Sequence, residues 1–258
     1  MKDRGLSRFS AAALYVFLPV ALLIVWQLLY ELGFIRALLL PPPSKIADTF
    51  LALLMSGDLL RHLGISLLRV IEGFALASVV GLALGTAIGL SRALDRSTDL
   101  MIQLMKPIPP IAWIPLTILW FGIGEESKVF IIFLGALFPI LVNTIDGIRQ
   151  TDGRYVELAR VFETKRLRFI MRVVLPGALP SIMTGLRVGM MIAWMCVVAA
   201  ELIAAPSGIG FMIMDARQMM QTDQVFVGMI AIGATGKVLD VLLRMVERRL
   251  IVWKAEYR

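Results

Sequence analysis

Apolar residues in this chain come in long runs. Six of them, over 11–29, 65–90, 100–121, 128–145, 179–205 and 225–243, are separated by short polar or charged connections. Each is close to the roughly 20 residues that a helix needs to cross about 30 Å of hydrocarbon. None shows the period-two alternation of a membrane barrel strand, and helices satisfy their backbone groups within the segment. The pattern predicts an all-α membrane protein with six transmembrane helices.

Breaks in the pattern add detail. Lys2, Arg4 and Arg8 precede the first run, as in a signal peptide. That run is too long for a signal core, Pro19 and Trp26 interrupt it, and no small-residue cleavage site follows, so it reads as an uncleaved span. The prolines at 41–43 stop the helix, and Ser44 is expected to cap a short interfacial helix over 45–55, with Ile46, Phe50, Leu53 and Leu54 on one face. Gly81, Gly85 and Gly89, at i, i+4 and i+8, predict close approach of another helix, either within one subunit or at a dimer seam. Arg92, Asp95, Arg96 and Asp99 read as a loop. Pro107, Pro109, Pro110 and Pro115 remove four donors from the third run and predict a broken helix, tolerated where it is buried or lines a water-filled path. Residues 122–127 read as a polar turn.

Composition agrees: 59% of residues are hydrophobic and 17% charged, and mean hydropathy is +0.83. With one cysteine, Cys196, and one histidine, His62, an intramolecular disulfide and a Cys/His metal site are excluded. Basic residues set the orientation. Placing both termini, 91–100 and the central charged stretch in the cytoplasm collects 17 of the 26 Lys and Arg residues there. The other side receives Arg36, Lys45, Arg61, Lys128 and Arg217, while Arg69, Lys106, Arg187 and Lys237 fall within or at the edge of spans. The net charge of +7 is then an orientation signal with some contact to anionic lipid, and nucleic acid is not an expected partner.

The central stretch, 151–180, holds two candidate amphipathic helices. Asp152 can cap one that carries Val156, Ala159, Val161 and Phe162 beside Glu157 and Arg160. A second, over 165–175, carries Leu167, Ile170, Met171 and Val174 on one face and is expected to end at Pro176. Such helices either lie on lipid headgroups or form a knob on which a soluble partner docks.

Glu157-Leu158-Ala159, then Glu163, then Val173-Val-Leu175-Pro176 resembles the EAA loop of membrane subunits of ATP-binding-cassette importers. The family pattern is Glu-Ala-Ala, Gly six residues after the Glu, and Ile-x-Leu-Pro ten residues after the Gly. The spacing matches, while Leu158 replaces an Ala and Glu163 replaces the Gly. Taken with Leu40-Pro-Pro-Pro-Ser44, Pro109-Pro-Ile-Ala-Trp-Ile-Pro115, Ala200-Glu-Leu-Ile-Ala-Ala-Pro-Ser-Gly-Ile-Gly210 and Glu247-Arg-Arg249, nearly the whole chain is similar to the nitrate, sulfonate and taurine branch.

The resemblance implies the type I importer permease architecture: residues 1–64 as an N-terminal transmembrane helix with an external interfacial segment, and 65–258 as a five-helix core with a cytoplasmic coupling loop at about 147–178. It implies a bacterial inner-membrane protein working as two copies, with cytoplasmic ATPase subunits and an extracytoplasmic substrate-binding protein. Glu157, Leu158, Ala159, Phe162, Glu163, Leu175 and Pro176 would meet the ATPase. ATP and Mg would sit in that partner; no cofactor, metal or catalytic residue is expected of this chain. Consistently, no Gly-x4-Gly-Lys-Ser/Thr loop occurs, and Gly233-Ala-Thr-Gly236-Lys237 has the wrong spacing.

Charges inside spans are the other candidates, since they are costly there. Glu201 reads either as a gate or lining residue or as a headgroup-level or helix-tying group, and would repel an anionic solute unless paired. Pro110, Trp113, Met190, Met191 and Trp194 are candidate path residues beside it. Arg187 either snorkels to the cytoplasmic face or lines the path. The rival function, a stand-alone secondary transporter or channel, calls for ionisable residues deep in several spans and for internal repeats.

Overall fold

The structure, a computed structural model, describes residues 8–151, 154, 161–162 and 164–251. The described residues are helical with no strands. Helix α1 is Arg8–Glu31, α2 Pro43–Ser56, α3 Asp58–Leu90, α4 Arg92–Met105, α5 Ile114–Phe121 and α6 Glu125–Arg149. After the central stretch come α7 (Leu175–Ala204), α8 (Ile209–Gln218) and α9 (Thr222–Leu250). Four stretches, Asp58–Leu90, Glu125–Arg149, Leu167–Ile203 and Thr222–Leu250, are each long and apolar enough to cross a membrane. Arg92–Met105 and Pro110–Phe121 together make a fifth, bent by 85° at the break.

Four boundaries differ from the sequence pattern. Residues 92–99 are not a loop but the first half of α4, because Ser91 caps it by accepting the Leu94 N–H and no Gly or Pro interrupts residues 92–105. Ser44 is not a cap: the helix opens two residues earlier than expected, at Pro43 behind Pro42, whose rings preset the backbone angle. The Ser44 N–H is taken instead by Gln27 Oε1 at 3.3 Å. Glu125, placed in a turn by the sequence, begins α6. Finally, Pro176 ends nothing. A helical turn at Arg166–Phe169 continues through a π segment, Ile170–Val174, into α7. Leu175 N–H bonds to Ile170 O, so the hydrogen-bond register shifts just where Pro176 has no donor to give.

The chain divides into two compact units, Met1–Arg61 with Met212–Ala231, and His62–Phe211 with Ile232–Arg258. In the first, Trp26 stacks at a tilt on Phe226 with centroids 5.6 Å apart. Thr49 Oγ1 donates to Asp223 Oδ2 at 2.7 Å, and Thr222 Oγ1 donates to Leu38 O at 2.6 Å. Gly57, at φ +82°, closes α2 in the left-handed region.

The second unit is built on α6, which packs on α3 along one face and on α7 along another. Val70 and Ala77, Ile131, Ile132, Ala136 and Ile140, and Met190, Trp194, Cys196 and Val197 form its buried core. Small residues let the backbones approach, as membrane helices require when lipid is as apolar as the core. A Cβ at Gly85 would stand 2.7 Å from Thr144 Cβ, and one at Gly81 3.0 Å from Ile140 Cγ2. The glycine stripe of α3 is thus occupied by α6 of the same chain. On the other side, a Cβ at Gly185 would meet the Pro139 carbonyl at 3.0 Å. Large side chains on other faces, such as Leu119 and Val79, are exposed, as lipid-facing positions should be.

Candidate translocation site

Two polar features stand out in the second unit. The first joins the start of α3, the start of α6 and the end of α7. Arg69, only 3% exposed, donates from Nε and Nη2 to both oxygens of Glu125, at 2.5 and 2.7 Å. Its Nη1 donates to Glu201 Oε1 at 2.7 Å and to Ser207 O at 2.8 Å, and its Nη2 also reaches Ser207 Oγ at 3.1 Å. Lys128 Nζ adds a 3.0 Å bond to Glu125. Two cations and two carboxylates leave the cluster neutral, which is what makes burial tolerable.

The same cluster caps α8. A helix start presents unpaired N–H groups and a partial positive charge. Here Gly210 N–H goes to Glu201 Oε2 at 2.9 Å, Ile209 N–H to Ser66 Oγ at 2.9 Å, and Gly208 N–H to His62 Nδ1 at 3.1 Å. Ser66 Oγ also lies 2.8 Å from the Glu201 carboxylate. Gly208, at φ +112°, leaves no room for a side chain: a Cβ would stand 2.2 Å from Glu201 Cδ. Glu201 is therefore a buried, paired, helix-tying residue, and its charge is cancelled by Arg69.

The second feature is a cavity of about 340 Å³ beneath the break between α4 and α5. Lys106, Ile108 and Pro110 form one wall, α6 residues from Leu134 to Asn143 another, and Val188 and Ile192 of α7 a third. The proline count explains the break: Pro110–Trp113 is a 3-10 turn that takes over where the α-helical ladder lacks donors. Of the sequence-derived path residues, Pro110 lines this cavity. Met190 and Trp194 are buried in the core, and Met191 packs against it half-buried. Trp194 Nε1 donates to Ile232 O at 3.1 Å. Trp113 is half-buried, its ring 6.5 Å from that of Trp120.

At the end where α6 finishes and α7 begins, Arg149 pairs with Asp95. Arg187 is tied to α9 through Asp240 at 3.3 Å and Glu247 at 3.2 Å, and Arg244 shares Asp240 at 2.8 Å. Glu157, Leu158, Ala159 and Glu163 lie outside the described residues. Phe162 and Val161 are exposed, as are Leu167 and Met171. Leu175 and Pro176 are half-buried at the start of α7. The expected apolar face of the 165–175 segment is split: Val174 and Ile170 join Ile148 and Ala178 in a small core, while Leu167 and Met171 point away.

Sequence reasoning placed Glu201 but not its partners. Ser66 and Arg69 precede it by 135 and 132 positions, and of the cluster's other members only Arg69, a cation in an apolar run, carried a signal. Helix α8 and Asn143 carried none.

Residues 77–252 match the family described as "Binding-protein-dependent transport system inner membrane component". The chain is 43% identical over 240 residues to SsuC of Bacillus subtilis (strain 168), named for aliphatic sulfonates transport as a permease protein; 93% of this chain and 87% of that protein are covered. It is 37% identical over 240 residues to the taurine transport system permease protein TauC of Escherichia coli (strain K12), covering 91% and 87%. It is 34% identical over 266 residues to the bicarbonate transport system permease protein CmpB of Synechococcus elongatus, covering 97% and 95%. Among solved structures, a chain of the inward-facing MetNI methionine ABC transporter matches with a TM-score of 0.66 at 17% identity, covering 76% of this chain and 97% of that one. That likeness shows a shared fold.

Proposed function

The chain belongs to the binding-protein-dependent transport system inner membrane component family, and from that premise we propose that it is the permease of an ATP-driven importer of small oxoanion-bearing solutes. Its relatives are named for aliphatic sulfonates, taurine and bicarbonate, and nearly full-length similarity to all three is the observation that carries the reading. Two copies form the path, an extracytoplasmic binding protein delivers the solute, and cytoplasmic ATPases supply the energy. ATP and Mg are held by those ATPases, and this chain is not a catalyst.

Coupling runs through residues 147–178, with Glu157 as a contact charge and Leu158, Ala159, Phe162, Glu163, Leu175 and Pro176 beside it. The exposed Val161, Phe162, Leu167 and Met171 support a docking role for this region, since an apolar group of this kind outside the hydrocarbon needs a cover. The direct continuation of 166–174 into α7 supports a mechanical link: a push on the loop acts on a helix that walls the cavity. Pro110, Trp113, Met190, Met191, Trp194 and Glu201 are assigned to the path or its supports, and the termini to the cytoplasm.

The test is to purify the tagged chain with its neighbours from its own membrane and measure uptake of labelled ethanesulfonate, taurine and bicarbonate after reconstitution. Co-purification of an ATPase subunit and ATP-dependent uptake of at least one probe are expected. Uptake without any ATPase subunit would overturn the proposal.

A further inference from the structure

Lys106 stands at an unusual place. It follows α4 on the wall of the 340 Å³ cavity, whose opposite wall, Leu134 to Asn143, is the middle of the 25-residue span α6. A cation there is expensive, and such residues mark ion or solute pathways. Arg69, Arg149 and Arg187 each have a carboxylate. Lys106 has no ion pair among the described residues. Lys237 shares that condition but does not line the cavity.

Over residues 106–110 the backbone has no free N–H to offer an anion. Pro107, Pro109 and Pro110 have no N–H, the Lys106 N–H goes to Ile102 O, and the Ile108 N–H goes to Met105 O. Positive charge in this wall therefore comes from the Lys106 side chain. Across the cavity, Asn143 uses one amide hydrogen on Pro139 O at 2.8 Å, and its amide carries a second. The rest of the lining is apolar, and the volume suits a small ligand. One cation and one amide in an apolar wall supply a charge and a hydrogen-bond donor for an anion without enclosing it.

We infer that Lys106, assisted by Asn143, is the specificity-determining contact that a small oxoanion meets in this cavity during transport. The assignment rests on the permease reading and adds to it the charge of the solute and the residue that selects it.

Lys106→Cys tests it in the reconstituted complex of permease, ATPase and binding protein, with labelled ethanesulfonate, taurine and bicarbonate as probes. This chain's single native thiol, Cys196, is buried, so methanethiosulfonate reagents should act on the chain at position 106, and the wild-type complex treated alike is the baseline for thiols of the other subunits. Uptake of the transported probe should fall at least tenfold in K106C. A cationic aminoethyl reagent should restore it, while an anionic sulfonatoethyl reagent should not. Wild-type uptake by K106C, as expected if Lys106 merely pairs with a lipid phosphate, would overturn the assignment; so would equal effects of the two reagents. If K106C does not assemble, K106R and K106Q carry the test: uptake kept within threefold by K106R and lost in K106Q supports the assignment, and equal rates overturn it. A wild-type complex that moves none of the anions overturns the oxoanion reading and this assignment with it. Wild-type uptake combined with an indifferent position 106 overturns this assignment alone.

Discussion

Replacing Arg69 by Ala probes the cluster that holds α3, α6 and α7 together. The substitution deletes five hydrogen bonds, two to Glu125, one to Glu201 and two to Ser207. Their loss is unequal in cost. The Glu125 side chain is 57% exposed, so it regains water or keeps Lys128, and its share is small. Glu201 is 1% exposed and stays buried with only Ser66 and Gly210 as donors. Stranding one partner of a buried ion pair costs about 3–5 kcal/mol, a large part of a typical stability of about 5–15 kcal/mol. Glu201→Gln keeps the shape but turns one accepting oxygen, facing Arg69 Nη1 or Gly210 N–H, into a donor, and so loses one hydrogen bond of the charged class, about 1.5–3 kcal/mol. The double variant R69M/E201L should cost less than R69A alone, because neither charge is left behind. Equilibrium unfolding in mixed micelles, followed by tryptophan fluorescence, measures all three. R69A within about 1 kcal/mol of wild type, or a double variant as costly as the two single losses added, would refute the reasoning.

Further outcomes follow from the same contacts. Gly85→Leu, whose Cβ would stand 2.7 Å from Thr144 Cβ, should destabilise the α3–α6 contact by at least about 1–3 kcal/mol in the same unfolding assay; exposed Leu84→Ala should change it little. Gly208→Ala combines a φ of +112° with a 2.2 Å clash against the Glu201 carboxyl, so it should lower the thermal midpoint more than Ala205→Gly does. Arg187→Ala should cost about 1 kcal/mol or less, since the Arg187–Asp240–Glu247 group is partly solvated, and adding salt should shrink the difference. Charge reversal at Glu157 should leave the protein inserted and let the ATPase turn over without uptake; normal uptake by that variant, in vesicles with equal permease content, would remove residues 147–178 from the coupling role.

Much of the fold was legible because membrane burial writes itself into long apolar runs. The runs at 65–90, 128–145, 179–205 and 225–243 are the hearts of α3, α6, α7 and α9, and four prolines marked the 85° break. The helices outlast their apolar runs, because Ser91 caps residues 92–99 and Arg244 to Leu250 is rich in good helix formers, with charges that need only water or headgroups. Helix α8 was hidden for the opposite reason. At 10 residues, with glycines at 208 and 210 around its start, it has little propensity of its own and depends on caps from His62, Ser66 and Glu201. No local pattern encodes caps that lie on another helix. Glu201 shows the same divide, since a carboxylate in an apolar run announces itself while the choice between lining a path and tying helices rests on Arg69, 132 positions away. The Pro176 expectation failed because a proline ends a helix only if the register before it is α-helical, and the π segment at Ile170–Val174 changes that register.

One reconstitution identifies the source of energy for transport. Vesicles carrying the permease with its ATPase should be loaded with ATP and Mg, with binding protein and labelled ethanesulfonate, taurine or bicarbonate outside. Accumulation of a probe that requires internal ATP, and persists when ionophores collapse every ion gradient, is the expected result. Accumulation by the permease alone, without ATP and abolished by the ionophores, would contradict it and make the chain a gradient-driven transporter.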